Sequence, residues 1–99
     1  MGVAEQMKIS NTVSFSLTGV QPYNTGLKKA GIYKWLFSSV NYASPLYFIF
    51  TVSNAAYGIL KLNEPWYSSN VILSIDSTTQ DLVIQYNSAN QLVVLEYIG

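Results

Sequence analysis

Apolar and polar residues alternate along much of this chain. From Met7 to Leu17 the odd positions Met7, Ile9, Val13, Phe15 and Leu17 are apolar, while Lys8, Ser10, Thr12, Ser14 and Ser16 are polar. That period of two predicts a strand over 7–17 with one face in a core and one in water. Residues 19–26, punctuated by Gly19, Pro22 and Gly26, read as a loop. Residues 32–38 and 46–53 are rich in aromatic and β-branched side chains and follow Gly31 and Pro45, which predicts two more strands. A further strand is expected within 56–62, after which 64–70 breaks the pattern. Strands over 71–76, 82–86 and 92–98, joined around 77–80 and 87–90, predict a C-terminal three-stranded meander.

About seven short strands make an all-β, mainly antiparallel fold in a single domain over 1–99. The alternative is α+β, with a helix around 27–40 capped by Thr25. Gly31 and the aromatic run of 33–37 weigh against it. No internal repeat or heptad is present.

Charge is scarce. The chain is 49 % hydrophobic and only 10 % charged, against roughly 25 % charged in an ordinary domain. Twelve Ser, eight Asn, six Thr and five Gln supply surface polarity that barely responds to pH. With all five carboxylates protonated, the five lysines and the amino terminus would give about +6, a modest self-repulsion for this size. Acid stability is therefore expected. Thermal stability is a weaker expectation, resting on the absence of Gly after any Asn. The first residues show no basic start followed by an apolar stretch, and the longest apolar run, 46–50, is far too short to cross a bilayer. Neither a signal peptide nor an integral membrane protein is expected.

The absence of His, Cys and Arg removes most catalytic classes. Acid–base candidates reduce to Glu5, Glu64, Asp76, Asp81 and Glu96. Only Asp76 and Asp81 are placed together, flanking a four-residue turn, where turn-shaping aspartates are the commoner outcome. No Ser lies in a Gly-x-Ser-x-Gly turn and no Gly-Lys-Ser/Thr occurs. The expectation is a non-catalytic protein without cofactor or metal.

Two surfaces are candidates for binding. Tyr23, Tyr42, Trp66 and Tyr67 fall in predicted loops among Ser and Asn, a composition used for protein and glycan recognition. Trp66 and Tyr67 form the best single patch. The second candidate is a nucleic-acid surface: Lys28, Lys29 and Lys34 gather around Tyr33 and Trp35, which would share one strand face as a stacking platform. Zero net charge and only three lysines argue against it. Low charge and apolar strand edges favour a homodimer.

In overall character (low charge, richness in Tyr, Ser and Asn, no Cys or His, a β pattern, and the opening Met1-Gly2-Val3-Ala4-Glu5) the chain resembles small proteins of viruses infecting acidophilic, thermophilic archaea, the Acidianus filamentous viruses among them. The resemblance spans the chain but carries no motif, so it transfers no site residue. It implies a hot, acid-exposed host, a location in the host cytoplasm or the virion, viral or host protein partners, and slightly better odds for DNA association.

Overall fold

The computed structural model describes residues 11–18, 21–37, 44–51, 58–88 and 90–99. Eight strands lie among them: β1 (Thr12–Leu17), β2 (Tyr23–Asn24), β3 (Gly31–Phe37), β4 (Leu46–Phe50), β5 (Ile59–Lys61), β6 (Val71–Ile75), β7 (Leu82–Tyr86) and β8 (Gln91–Tyr97). A short 3-10 turn, Ser68–Asn70, leads into β6. The described residues contain no helix over 27–40: that segment holds β3, whose aromatic and β-branched run suits a pleated surface. The fold is mainly antiparallel β, as the alternation predicts.

The strands form two antiparallel sheets, of order β1-β8-β3-β4-β5 and β2-β7-β6. The three C-terminal strands follow one another as expected. β6 and β7 pair as a hairpin, whereas β8 crosses to the larger sheet and lies between β1 and β3. The first and last described strands thus pair at one edge of the larger sheet.

Inward positions follow the period of two. Val13, Phe15 and Leu17 on β1, Tyr33, Trp35 and Phe37 on β3, Leu46, Phe48 and Phe50 on β4, and Val93 and Leu95 on β8 are all buried. They pack against Val71, Ile75, Leu82, Ile84 and Tyr86 of the smaller sheet in one core. Rings bridge the two layers, with Phe37 edge-on to Tyr86 at 5.0 Å and Phe15 edge-on to Tyr23 at 5.5 Å. A two-layer sandwich with its core between the sheets results.

Several polar groups close the ends. Thr25 donates its hydroxyl to Leu82 O at 2.6 Å, and Leu82 N–H donates to Leu27 O at 2.9 Å, extending the β2–β7 pairing beyond the strand. On the opposite side Lys61, an inward residue of edge strand β5, donates to Ser68 O at 2.6 Å and Val71 O at 2.8 Å. Its apolar stem lies along the core edge while its head satisfies carbonyls at the start of β6.

Candidate functional site

Each aromatic candidate is placed by its strand or turn, and the placements separate residues that are adjacent in sequence. Trp66 is 70 % exposed, whereas Tyr67, beside it, has no accessible surface. The Tyr67 ring inserts edge-on against Phe37 at 4.7 Å, and its hydroxyl donates to Ser44 O at 2.5 Å. Burial pushes its phenol up to about 12. Tyr67 is therefore a core residue and not part of a contact patch: its hydroxyl finds a carbonyl, so the whole ring can leave water. Trp66 packs edge-on to Tyr67, centroids 5.4 Å apart, and offers its free face to solvent. Of the other loop aromatics, Tyr23 lies on β2 and is 41 % exposed, while Tyr42 lies outside the described residues.

The nucleic-acid candidate comes apart in the same way. Tyr33 and Trp35 face the core with no accessible surface, so they form no stacking platform. Tyr33 stacks on Phe48 at 5.6 Å, donates its hydroxyl to Lys29 O at 2.6 Å, and has a phenol that burial raises well above the ordinary tyrosine value. Lys34 points to the opposite side of β3. Lys28 donates to Thr79 O at 2.6 Å and to the Asp81 carboxylate at 2.5 Å, and Lys29 sits 4.2 Å over the Tyr97 ring. The three lysines and two aromatics do not converge.

Asp76 and Asp81 do stand opposite one another at the β6–β7 turn, where Asp76 N–H donates to Asp81 O at 2.9 Å. Their carboxylates serve the turn. Asp76 accepts from Thr79 N–H at 2.9 Å and Thr78 N–H at 2.8 Å, and these bonds hold it below the usual carboxylate range. The Lys28 ammonium does the same for Asp81. Neither has the raised pKa of a general acid. Among the described residues no three of His, Cys, Asp or Glu gather where they could hold a metal.

What the structure does bring together is an apolar outer face on the five-stranded sheet. Ile32, Leu36, Ile49 and Val94 occupy outward positions of β3, β4 and β8 and are half-buried. The register arranges them in rows. Ile98 N–H donates to Ile32 O at 2.7 Å, Ile32 pairs with Ile49, and Ile49 pairs with Leu60, so four aliphatic residues run side by side across the sheet. The next row holds Thr12, Glu96, Lys34 and Tyr47, and the one after it Ser14, Val94 and Leu36. Leu60 and Leu62, 63 % and 46 % exposed, extend the face to the β5 edge, in the stretch that leads to Trp66. Lys34 and Glu96 are the charges in its centre.

A sequence signal for this face existed. Strand β1 alternates cleanly, with Thr12, Ser14 and Ser16 outward, but 46–50 and much of 31–37 are continuously apolar, the pattern of strands covered on both sides.

No protein-family model matches the chain, and searches of curated proteins and of solved structures return no match.

Proposed function

We propose that this protein is a non-catalytic, β-rich interaction module that works through the outer face of its five-stranded sheet, in a homodimer or a larger structural assembly. One observation carries this reading: Ile32, Leu36, Ile49, Leu60, Leu92, Val94 and Ile98 occupy the side of the sheet turned away from the core. Single exposed apolar residues are ordinary, but rows of them on one sheet face, here on both sides of the Lys34–Glu96 pair, mark an interaction surface. The viral setting implied by the chain's general character fits such a role, since virion and assembly proteins function by repeated contacts. Among the described residues, no helix is long and apolar enough to cross a membrane.

The test substitutes the face with charge. Leu36→Lys and Ile49→Lys, singly and together, are compared with the parent for melting temperature at low protein concentration and for binding of an apolar fluorescent dye. An interaction face predicts weaker dye binding and higher solubility with Tm held within a few degrees. A drop of more than about 8 °C, corresponding to roughly 1–2 kcal/mol in a domain of this size, would show that the face is internal to the fold and would refute the reading.

A further inference from the structure

We infer that the occupant of this face is a second copy of the chain, docked about a two-fold axis that runs along the strand direction between β8 and β3. The inference rests on the reading above, and adds the partner, the axis and the pairing. Its basis is the self-complementarity of the face.

Lys34 and Glu96 are direct neighbours on β3 and β8 in the middle of an otherwise apolar surface. The two stand opposite one another, and a purely apolar partner surface would desolvate both while offering no group for their remaining hydrogen-bonding capacity, which costs free energy. Rotation by a half-turn about an axis between these two strands exchanges the β3 and β8 positions without a shift along them. Lys34 then lies over the partner's Glu96, and Glu96 over the partner's Lys34. The same operation sets Leu36 over the partner's Val94 and Ile32 over the partner's Ile98. On β3 and β8 each charge meets its opposite, and Ile32, Leu36, Val94 and Ile98 meet aliphatic residues, while Ile49 and Leu60 lie outside these pairings. An isologous contact demands this kind of self-match.

The flanks agree with that axis. β1 presents Thr12, Ser14 and Ser16, a polar border, while β4 on the other side presents Tyr47 and Ile49. The operation brings β4 over the partner's β1, so Tyr47 lies over the partner's Thr12, a pairing of a half-polar ring with a hydroxyl. The operation overlaps four strands, β1, β8, β3 and β4, and leaves β5 outside; four strands about 4.8 Å apart and six residues at about 3.3 Å give a flat footprint of roughly 380 Å² per copy. The total of roughly 760 Å² for the pair is below that of a standard specific interface and points to a weak, reversible dimer.

Charge reciprocity supplies the test, read by sedimentation equilibrium across a micromolar to millimolar range, with circular dichroism to confirm folding. The wild-type chain is expected to dimerise. Lys34→Glu alone places two Glu–Glu contacts across the axis, and Glu96→Lys alone places two Lys–Lys contacts. Each is expected to weaken self-association roughly a hundredfold or more, since juxtaposed like charges cost several kcal/mol. An equimolar mixture of the two variants re-creates two opposite-charge contacts and is expected to form a heterodimer at concentrations where neither variant associates. The double variant Lys34→Glu/Glu96→Lys should dimerise with itself.

A monomeric wild type at all concentrations would overturn the second copy as occupant, while the substitution experiment above could still establish a free face for another partner. A wild-type dimer indifferent to Lys34→Glu, but lost on Trp66→Ala, would place the interface at the β5 corner and overturn the axis. Weakening by both single variants without recovery in the mixture would overturn the reciprocal pairing. Trp66 belongs to no contact in the inferred dimer, so Trp66→Ala is expected to leave the wild-type association constant unchanged.

Discussion

A methyl group placed on Gly31 would lie 2.6 Å from both Cε1 and Oη of Tyr97, closer than any real contact allows. Gly31 also has φ +152°, outside the range ordinary residues accept. Tyr97 has little freedom to retreat: its hydroxyl donates to Ala30 O at 2.9 Å, its ring meets Tyr33 edge-on at 5.2 Å, and Lys29 sits above it. Gly31→Ala should therefore cost about 2–3 kcal/mol through overpacking and backbone strain, lowering Tm by more than about 8 °C. A melt within two or three degrees of wild type would contradict that steric account. Ser68 predicts the opposite sign. Its hydroxyl is buried and finds no hydrogen-bond partner among the described residues, whereas its backbone groups are engaged by Pro65 and Lys61. Ser68→Ala removes an unsatisfied group and leaves the backbone contacts, so urea denaturation should show stability unchanged or raised by up to about 1 kcal/mol. A clear loss would mean that the hydroxyl is satisfied in solution.

Elements were largely legible from the period of two, and their partnerships were not. Strands β6 and β7 fall where the alternation puts them, and β3 and β8 lie within one residue of expectation. Tyr23–Asn24 was read as loop because two residues cannot display a period; β7 and the Thr25 bonds to Leu82 make it a strand. The crossing of β8 into the larger sheet joins residues more than 70 positions apart, as Ser16 and Leu92 are, and no local pattern encodes that pairing. The candidate site was half legible for the same reason. The apolar runs carried a signal for strands covered on both sides that the reading of alternation did not use; which outward residues become neighbours depends on strand order, and Trp66 and Tyr67 differ only in which way the turn aims them. Besides the hydrogen bonds of Thr25, Leu27 and Lys61, the described residues tie the β6–β7 hairpin down with the ion pair Lys28–Asp81, between an exposed ammonium and a mostly buried carboxylate. Lys28→Met should cost about 1 kcal/mol at pH 6, the screened value for a pair with one exposed partner. Asp81 has a depressed folded pKa, so its contribution is present above the ordinary carboxylate pKa and is lost as pH falls through the folded value. Urea midpoints of wild type and variant should therefore converge in part at pH 2, leaving the share due to Thr79 O. A gap that stays constant with pH would assign the whole effect to that carbonyl and to packing of the lysine stem.

For the whole molecule, stability should form a broad plateau bounded by different groups on its two sides. In acid, Asp76 and Asp81 have folded pKa values below their unfolded ones, so the stability they supply is full above pH 4 and drains as pH falls through those lowered values. With five carboxylates in all and no His, the total loss is bounded, and a folded circular-dichroism spectrum is expected at pH 2. In base the sign reverses. Tyr67 is raised to about 12 and Tyr33 beyond it, both by burial of the neutral phenol. Below pH 10 neither phenol ionises in either state and the term is flat. Between pH 10 and 12 the unfolded chain loses those protons while the folded chain keeps them, so stability falls by about 1.4 kcal/mol per pH unit for each tyrosine. Two such residues give a slope of about 2.7 kcal/mol per unit, enough to consume the stability of a small domain within a few pH units. The measurement is a joint titration of tyrosinate absorbance and far-ultraviolet circular dichroism. The share of the absorbance due to Tyr33 and Tyr67 should appear only together with cooperative loss of the β signal. If all eight tyrosines ionise near pH 10 while the β signal persists, Tyr33 and Tyr67 are reachable by solvent in the folded chain and the core between the two sheets is looser than the packing of Phe37, Phe48 and Tyr67 requires.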